Sequence, residues 1–170
     1  MVILGIDPGY AIVGYGVIEY ANNRFKVIDY GAILTEAGLS FNIRLEKIYD
    51  ELNEIMNKYK IDAMAIEKLF YNSNAKTVID VSQARGVILL CAQKNHIAMH
   101  EYTPLQVKQS VVGYGRAEKK QVQEMTRRIL ALEKVPKPDD TADALAMAIC
   151  HAHAGGSSMN FQNMRIRKGI

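Results

Sequence analysis

Cysteine is scarce in this chain: two in 170 residues, Cys91 and Cys150, each inside an apolar helical pattern and without CxxC spacing. That excludes a disulfide framework and a cysteine-ligated zinc site, and both thiols are expected as reduced core residues of a cytoplasmic protein. Long apolar runs are missing as well. None approaches the ~20 residues that a membrane-spanning helix needs. The chain enters a strand directly, so neither a leader peptide nor a membrane partner is expected. A strong charge of one sign is also lacking, since 21 Lys and Arg against 18 Asp and Glu leave a formal net charge of +3. This mildly basic balance permits a nucleic-acid partner without demanding one. No internal repeat and no low-complexity linker divides the chain. What is present, 49% hydrophobic and 23% charged residues, fits one soluble globular domain with a sizeable core.

The most informative stretch is the first. Val2, Ile3, Leu4 and Ile6 predict a buried strand that ends on Asp7, and Pro8-Gly9 turns the chain at once. A carboxylate at the end of a buried strand is costly unless it is paired or binds a cation. Taken alone, Asp7 reads equally well as a cap of the turn. Residues 11–20 are strand-like, with Gly14 and Gly16 suggesting a close backbone approach near the first strand. Residues 21–23 form a turn and 24–35 a third strand, so the three make an antiparallel meander. Ser40 is a candidate helix cap, followed by an amphipathic helix through Leu45, Ile48, Leu52, Ile55, Met56 and Tyr59.

Residues 61–66 form a second short apolar run, which also ends on a carboxylate, Glu67. Ligand sites in open α/β sheets lie at the carboxyl ends of strands. The aperiodic stretch 68–74 predicts a loop beside that site. Helical patterns cover 75–93, with an apolar arc wide enough for a central position or a subunit interface, and then 118–132. Between them lie a strand over 97–102, a small helix opened by Pro104, and a glycine-flexed connection over 111–116. Pro136 and Pro138 break the pattern before a last helix from Asp139 through His153. The order βββαβαβαα gives an α/β sheet with an antiparallel edge over residues 1–154, with residues 155–170 expected as a disordered tail.

The last helix carries Asp139, Asp140 and Asp143 near its start. Asp143 shares a face with either Asp139 or Asp140, and spacing alone does not choose between them. Acids in a first turn suit the helix dipole in any protein, and Asp139 sits where a cap belongs. Asp143, flanked by Ala142, Ala144, Leu145 and Ala146, is harder to explain that way. Asp7 and Glu67 at two strand ends, with an aspartate pair on a helix, would repel one another unless divalent cations stood between them. All-oxygen ligation suits Mg²⁺ or Mn²⁺, and two such ions serve in-line displacement at phosphorus.

Five blocks, GIDPG at 5–9, AIEKLF at 65–70, QARGV at 83–87, VKQSVVGYGRAEKKQV at 107–122 and DDTADALAMAICHAH at 139–153, resemble the RuvC-type Holliday junction resolvases of the ribonuclease H-like superfamily. The resemblance covers the chain up to the tail. It implies a ribonuclease H-like mixed five-stranded sheet, antiparallel in its first three strands and flanked by helices. It implies Asp7, Glu67, Asp140 and Asp143 as catalytic metal-binding acids. The family's three-residue spacing selects Asp140 over Asp139, although some members carry His there. Two Mg²⁺ ions per subunit are implied, with Mn²⁺ able to substitute. Phe70 is expected to stack on a base near the cut, and Lys76, Lys108, Arg116 and Lys119 to bind DNA. The partners implied are four-way junction DNA, a second copy of the chain through the helix at 75–93, and a branch-migration motor. The implied setting is the bacterial cytoplasm, on the nucleoid.

Plainer readings stand beside these. Phe70 and Tyr71 would cover a core edge in many proteins, and the lysines would be a solvated face. His151 and His153 are expected to complement the end of the last helix. Two rival functions are a catalytically silent junction-binding module, which the intact acids argue against, and a nucleotide fold of the actin and sugar-kinase kind. The latter needs two domains, and 170 residues are too few for them.

Overall fold

The computed structural model describes residues 1–68 and 75–156; the expected loop, including Phe70 and Tyr71, and the last fourteen positions, 157–170, lie outside them. Three strands, β1 (Val2–Asp7), β2 (Ile12–Ala21) and β3 (Arg24–Leu34), form the antiparallel meander. After α1 (Phe41–Tyr59) come β4 (Ala63–Glu67), α2 (Ala75–Lys94) and β5 (Ala98–Tyr102). Three helices finish the chain: α3 (Pro104–Val112), α4 (Lys119–Ile129) and α5 (Asp139–Gly156). The sheet runs β3-β2-β1-β4-β5, with β4 parallel to both β1 and β5. This is the expected mixed sheet. The order gains one helix, α3, that the shorter string βββαβαβαα left uncounted.

β1 lies at the centre and divides the core by alternation. Ile3 packs into a layer with Leu145, Ile149, Val107 and Val122, on the side of α3, α4 and α5. Leu4 and Ile6 pack into the opposite layer with Ile48, Leu52, Ile88 and Cys91, on the side of α1 and α2. All three β1 side chains are fully buried, which explains the unbroken apolar run. Both cysteines are buried and free, as expected. Among the described residues no helix is long and apolar enough to cross a membrane.

α5 lies unusually close to the sheet, and glycine is the reason. A Cβ on Gly5 would strike the backbone of Ala144 and Ala148, one on Gly14 the backbone of Asp140, and one on Gly16 the side chain of Leu145. The approach expected from Gly14 and Gly16 is therefore real, but what approaches is the last helix and not a strand. The small residues Ala144 and Ala148 make the other half of that contact at Gly5, and both are fully buried.

Several local expectations change. Ser40 occupies the N-cap of α1, but its side chain accepts no capping bond. Glu118 is not the first turn of α4 but its N-cap, in a capping box with Gln121, while Thr103 and Gln106 form the box that starts α3. Val111 and Val112 belong to α3, and the flexed connection begins at Gly113, where φ is 93°. α5 continues through Gly155 and Gly156. His151 does not complement the helix end as a cation. It is 6% exposed, its Nδ1 stands 2.7 Å from the Tyr102 hydroxyl, and its ring packs on His100 at 4.3 Å. Burial, with His100 beside it, pushes its pKa down to about 4, so the ring is neutral at physiological pH. His153 stands 3.1 Å from the Ser110 hydroxyl, where it ties α5 to α3.

Candidate active site

The acids meet because strand register and strand parity both demand it. β1 and β4 are neighbours with Ile6 beside Ile66, so the next residues, Asp7 and Glu67, leave the sheet side by side at its carboxyl end. Ile3 and Ala65 face the layer under α5, and alternation turns Asp7 and Glu67 to that same face. On the other flank Asp7 is paired with Gly14, the residue on which the Asp140 backbone rests. The first turn of α5 therefore stands over Asp7, and Asp143 follows three residues on, on the same helix face.

The electrostatics show the convergence directly. Burial pushes the Asp7 carboxyl up to about 7, and the carboxylates of Asp143, Glu67 and Asp140 push in the same direction. Burial, then Asp143, raises Glu67. Asp139 behaves oppositely: a hydrogen bond from Lys137 holds its carboxyl below the usual range, and it is absent from the groups acting on Asp7. The two aspartates thus differ in surroundings: Asp140 acts on Asp7, while Asp139 pairs with Lys137 and, at 3.7 Å, with Lys119.

Asp7, Glu67 and Asp143 line one open cleft of about 220 Å³. Lys108 of α3 and Lys119 of α4 enter the same cleft, and Pro104, Val107, Val122, Ala146 and Met147 complete its wall. Asp140 is not among the lining residues. The apolar wall was not foreseen, because its members come from three helices that meet only in the folded chain. Val107 and Val122, one next to Lys108 and one a turn after Lys119, are the nearest thing to a sequence signal. Lys119 Nζ is 2.8 Å from an Asp143 oxygen. Arg116 is exposed and does not reach the cleft; Lys76 lies on α2, with its side chain outside the described residues.

The donor chemistry fits a hard divalent cation. Three carboxylates and no cysteine or histidine line the cleft, Asp140 acts on Asp7 as a fourth, and Asp7 carries more negative charge nearby than Lys119 offsets. The fit lies in charge and position. Among the described residues no three His, Cys, Asp or Glu side chains already form a group able to hold an ion.

A family model described as crossover junction endodeoxyribonuclease RuvC matches residues 3–151. The chain belongs to the RuvC family. It is 57% identical to the crossover junction endodeoxyribonuclease RuvC of Clostridioides difficile over 96% of this chain and 97% of that one. Identity to the RuvC of Alkaliphilus metalliredigens is 59%, over 91% and 94% of the two chains. Among solved structures, Thermus thermophilus RuvC in complex with a Holliday junction substrate superposes with a TM-score of 0.86 at 31% identity. It covers 91% of this chain and 94% of that one. The yeast mitochondrial Holliday junction resolvase, 11% identical with a TM-score of 0.63, shares the fold. The RuvC assignment and the ribonuclease H-like sheet expected from the five blocks are both upheld.

Proposed function

We propose that this RuvC-family chain is a structure-selective endonuclease that resolves four-way DNA junctions by paired symmetric nicks in recombination and repair. The observation that carries the reading is the cleft in which Asp7, Glu67 and Asp143 face Lys108 and Lys119. Acids alone would repel DNA and lysines alone would only bind it. Together they are the pairing that hydrolysis of a phosphodiester needs. Asp7, Glu67, Asp140 and Asp143 would hold two Mg²⁺ ions, or Mn²⁺ in their place. When bound there, the ions would supply Lewis acidity for water activation and for the charge on the leaving oxygen. Lys108 and Lys119 hold the phosphate of the strand to be cut, and the apolar wall limits water around it. Phe70, Lys76 and Arg116 complete the DNA-binding set, and nucleoid DNA in the bacterial cytoplasm is the setting.

Two cuts need two sites, which a two-fold dimer supplies. The support for a dimer lies on α2. Ile79 and Leu90 are 63% and 56% exposed. With Gln83 and Gly86 they repeat at steps of four, three and four, the spacing of a helix–helix seam. A Cβ on Gly86 would meet nothing, so a partner helix has room there. The double substitution Ile79→Asp, Leu90→Asp is expected to halve the mass seen by sedimentation and to reduce paired cutting to single nicks. An unchanged mass would remove α2 as the interface. A branch-migration motor remains a further partner, with no surface feature to place it.

The direct test of the chemistry is incubation of a labelled four-way junction with the protein and Mg²⁺, with or without EDTA. Nicks that EDTA abolishes are expected. Cutting that persists in EDTA would contradict the metal-dependent reading.

A further inference from the structure

Lys119 opens α4, and its ammonium stands 2.8 Å from Asp143 and 3.7 Å from Asp139. A lysine in that position works against the helix it begins. Helix N-termini carry partial positive charge, which disfavours cations in the first turn, and beyond the N-cap Glu118 that turn of α4 holds no acidic residue. Further compensation comes across the cleft mouth from the start of α5, which supplies Asp139 and Asp143. Lys119 is also the opposite charge that acts on both Asp7 and Glu67. Lys108 lines the same cleft but makes no ion pair among the described residues. One lysine therefore neutralises the acids, and the other does not.

The neutralising contact is a weak one. The Lys119 side chain is 56% exposed, against 28% for Asp143, and ion pairs this open to water contribute little. A divalent cation on the same carboxylate would lie within a few ångströms of the ammonium. Their repulsion exceeds what so exposed a pair returns. The two cations are thus alternatives. We infer that Lys119 is a displaceable counter-ion: it and a divalent cation compete for Asp143, and loading of the cleft frees the ammonium for the phosphate of the bound strand. This rests on the metal reading proposed above. It assigns to Lys119 a cost on metal affinity that a residue acting only on DNA would not have.

The test is a calorimetric titration of Mn²⁺ into the chelator-stripped, full-length protein without DNA, with thermal melts in EDTA to establish folding. Wild type, Lys119→Gln, Lys108→Gln and Asp143→Asn are compared. Lys119→Gln is expected to bind Mn²⁺ about 3- to 10-fold more tightly than wild type, and Lys108→Gln within about twofold of it. Asp143→Asn is expected to weaken binding. Unchanged or weaker binding by Lys119→Gln would overturn the inference and leave the metal reading standing. Equal tightening in Lys108→Gln would also overturn it, because a general field and not a shared carboxylate would be the cause. No Mn²⁺ binding by any variant would overturn both.

Discussion

Asp7→Asn is expected to abolish junction cleavage while leaving junction binding within a fewfold of wild type. Asp7 is the acid on which the other three act, so no neighbour can take over its position. A fall in rate of at least ~10³-fold is expected for a residue that holds the reacting assembly. The lysines proposed to bind DNA are not touched by the substitution. The same variant carries a second expectation, in stability. The folded pKa of about 7 lies above the ordinary 3.8, so the native state holds this proton more tightly than the unfolded chain. The stability it confers is present below about pH 4 and is lost as pH rises through about 7. In EDTA, then, Asp7→Asn and wild type should match near pH 4. The variant should become the more stable by roughly 2 to 4 kcal/mol near neutrality. Chemical denaturation at two pH values reads this difference. A gap that stays constant with pH would show that Asp7 does not titrate as the cleft requires, and retained nicking by the variant would remove the catalytic assignment.

Gly5→Val should be the most damaging single change away from the acids. Valine suits a central strand by propensity, so local preference predicts a mild or favourable effect. Packing predicts the opposite. A Cβ at this position meets the Ala144 carbonyl and the Ala148 amide, both backbone atoms of α5, and neither can swing aside as a side chain would. A loss of at least ~4 kcal/mol is expected, with the melting temperature falling by about 10 °C or more. Gly38→Val makes the comparison, since a Cβ there meets nothing within 4 Å; a shift within about 0.5 kcal/mol is expected. If Gly5→Val melts with wild type, the close seating of α5 on β1 is wrong, and with it the placement of Asp140 and Asp143 over Asp7.

The contrast between these two glycines shows what the sequence carried. Strand ends were legible because a buried run that stops on a carboxylate is a local signal, and Asp7 and Glu67 are both such stops. That they stand side by side follows from β1–β4 pairing, which no local pattern encodes. The choice between Asp139 and Asp140 was invisible at the level of spacing. In the structure the Asp140 backbone sits on Gly14, a contact across the chain, whereas Asp139 is bonded by its near neighbour Lys137. His151 misled for a related reason. A histidine near a helix end is ordinarily solvated and complements the dipole, but His100 and Tyr102 of β5 pack on this one and the Tyr102 hydroxyl satisfies it. The wall of Val107, Val122 and Met147 was silent because each residue reads as ordinary core of its own helix. Gly14 and Gly16 were visible as a pattern and Gly5 was not, and the partner all three admit lies at the other end of the chain.

The measurement that tests the central claim most directly is cleavage of a four-way junction, each of its four strands labelled in turn, beside linear duplexes of the same sequences under Mg²⁺. The account predicts nicks at symmetric positions in two opposed strands of the junction, and linear duplexes left intact. Equal cutting of junction and duplex would contradict it and leave a general nuclease on this fold. Tight junction binding without any cutting would contradict it from the other side, making the acid cleft a remnant in a junction-binding protein.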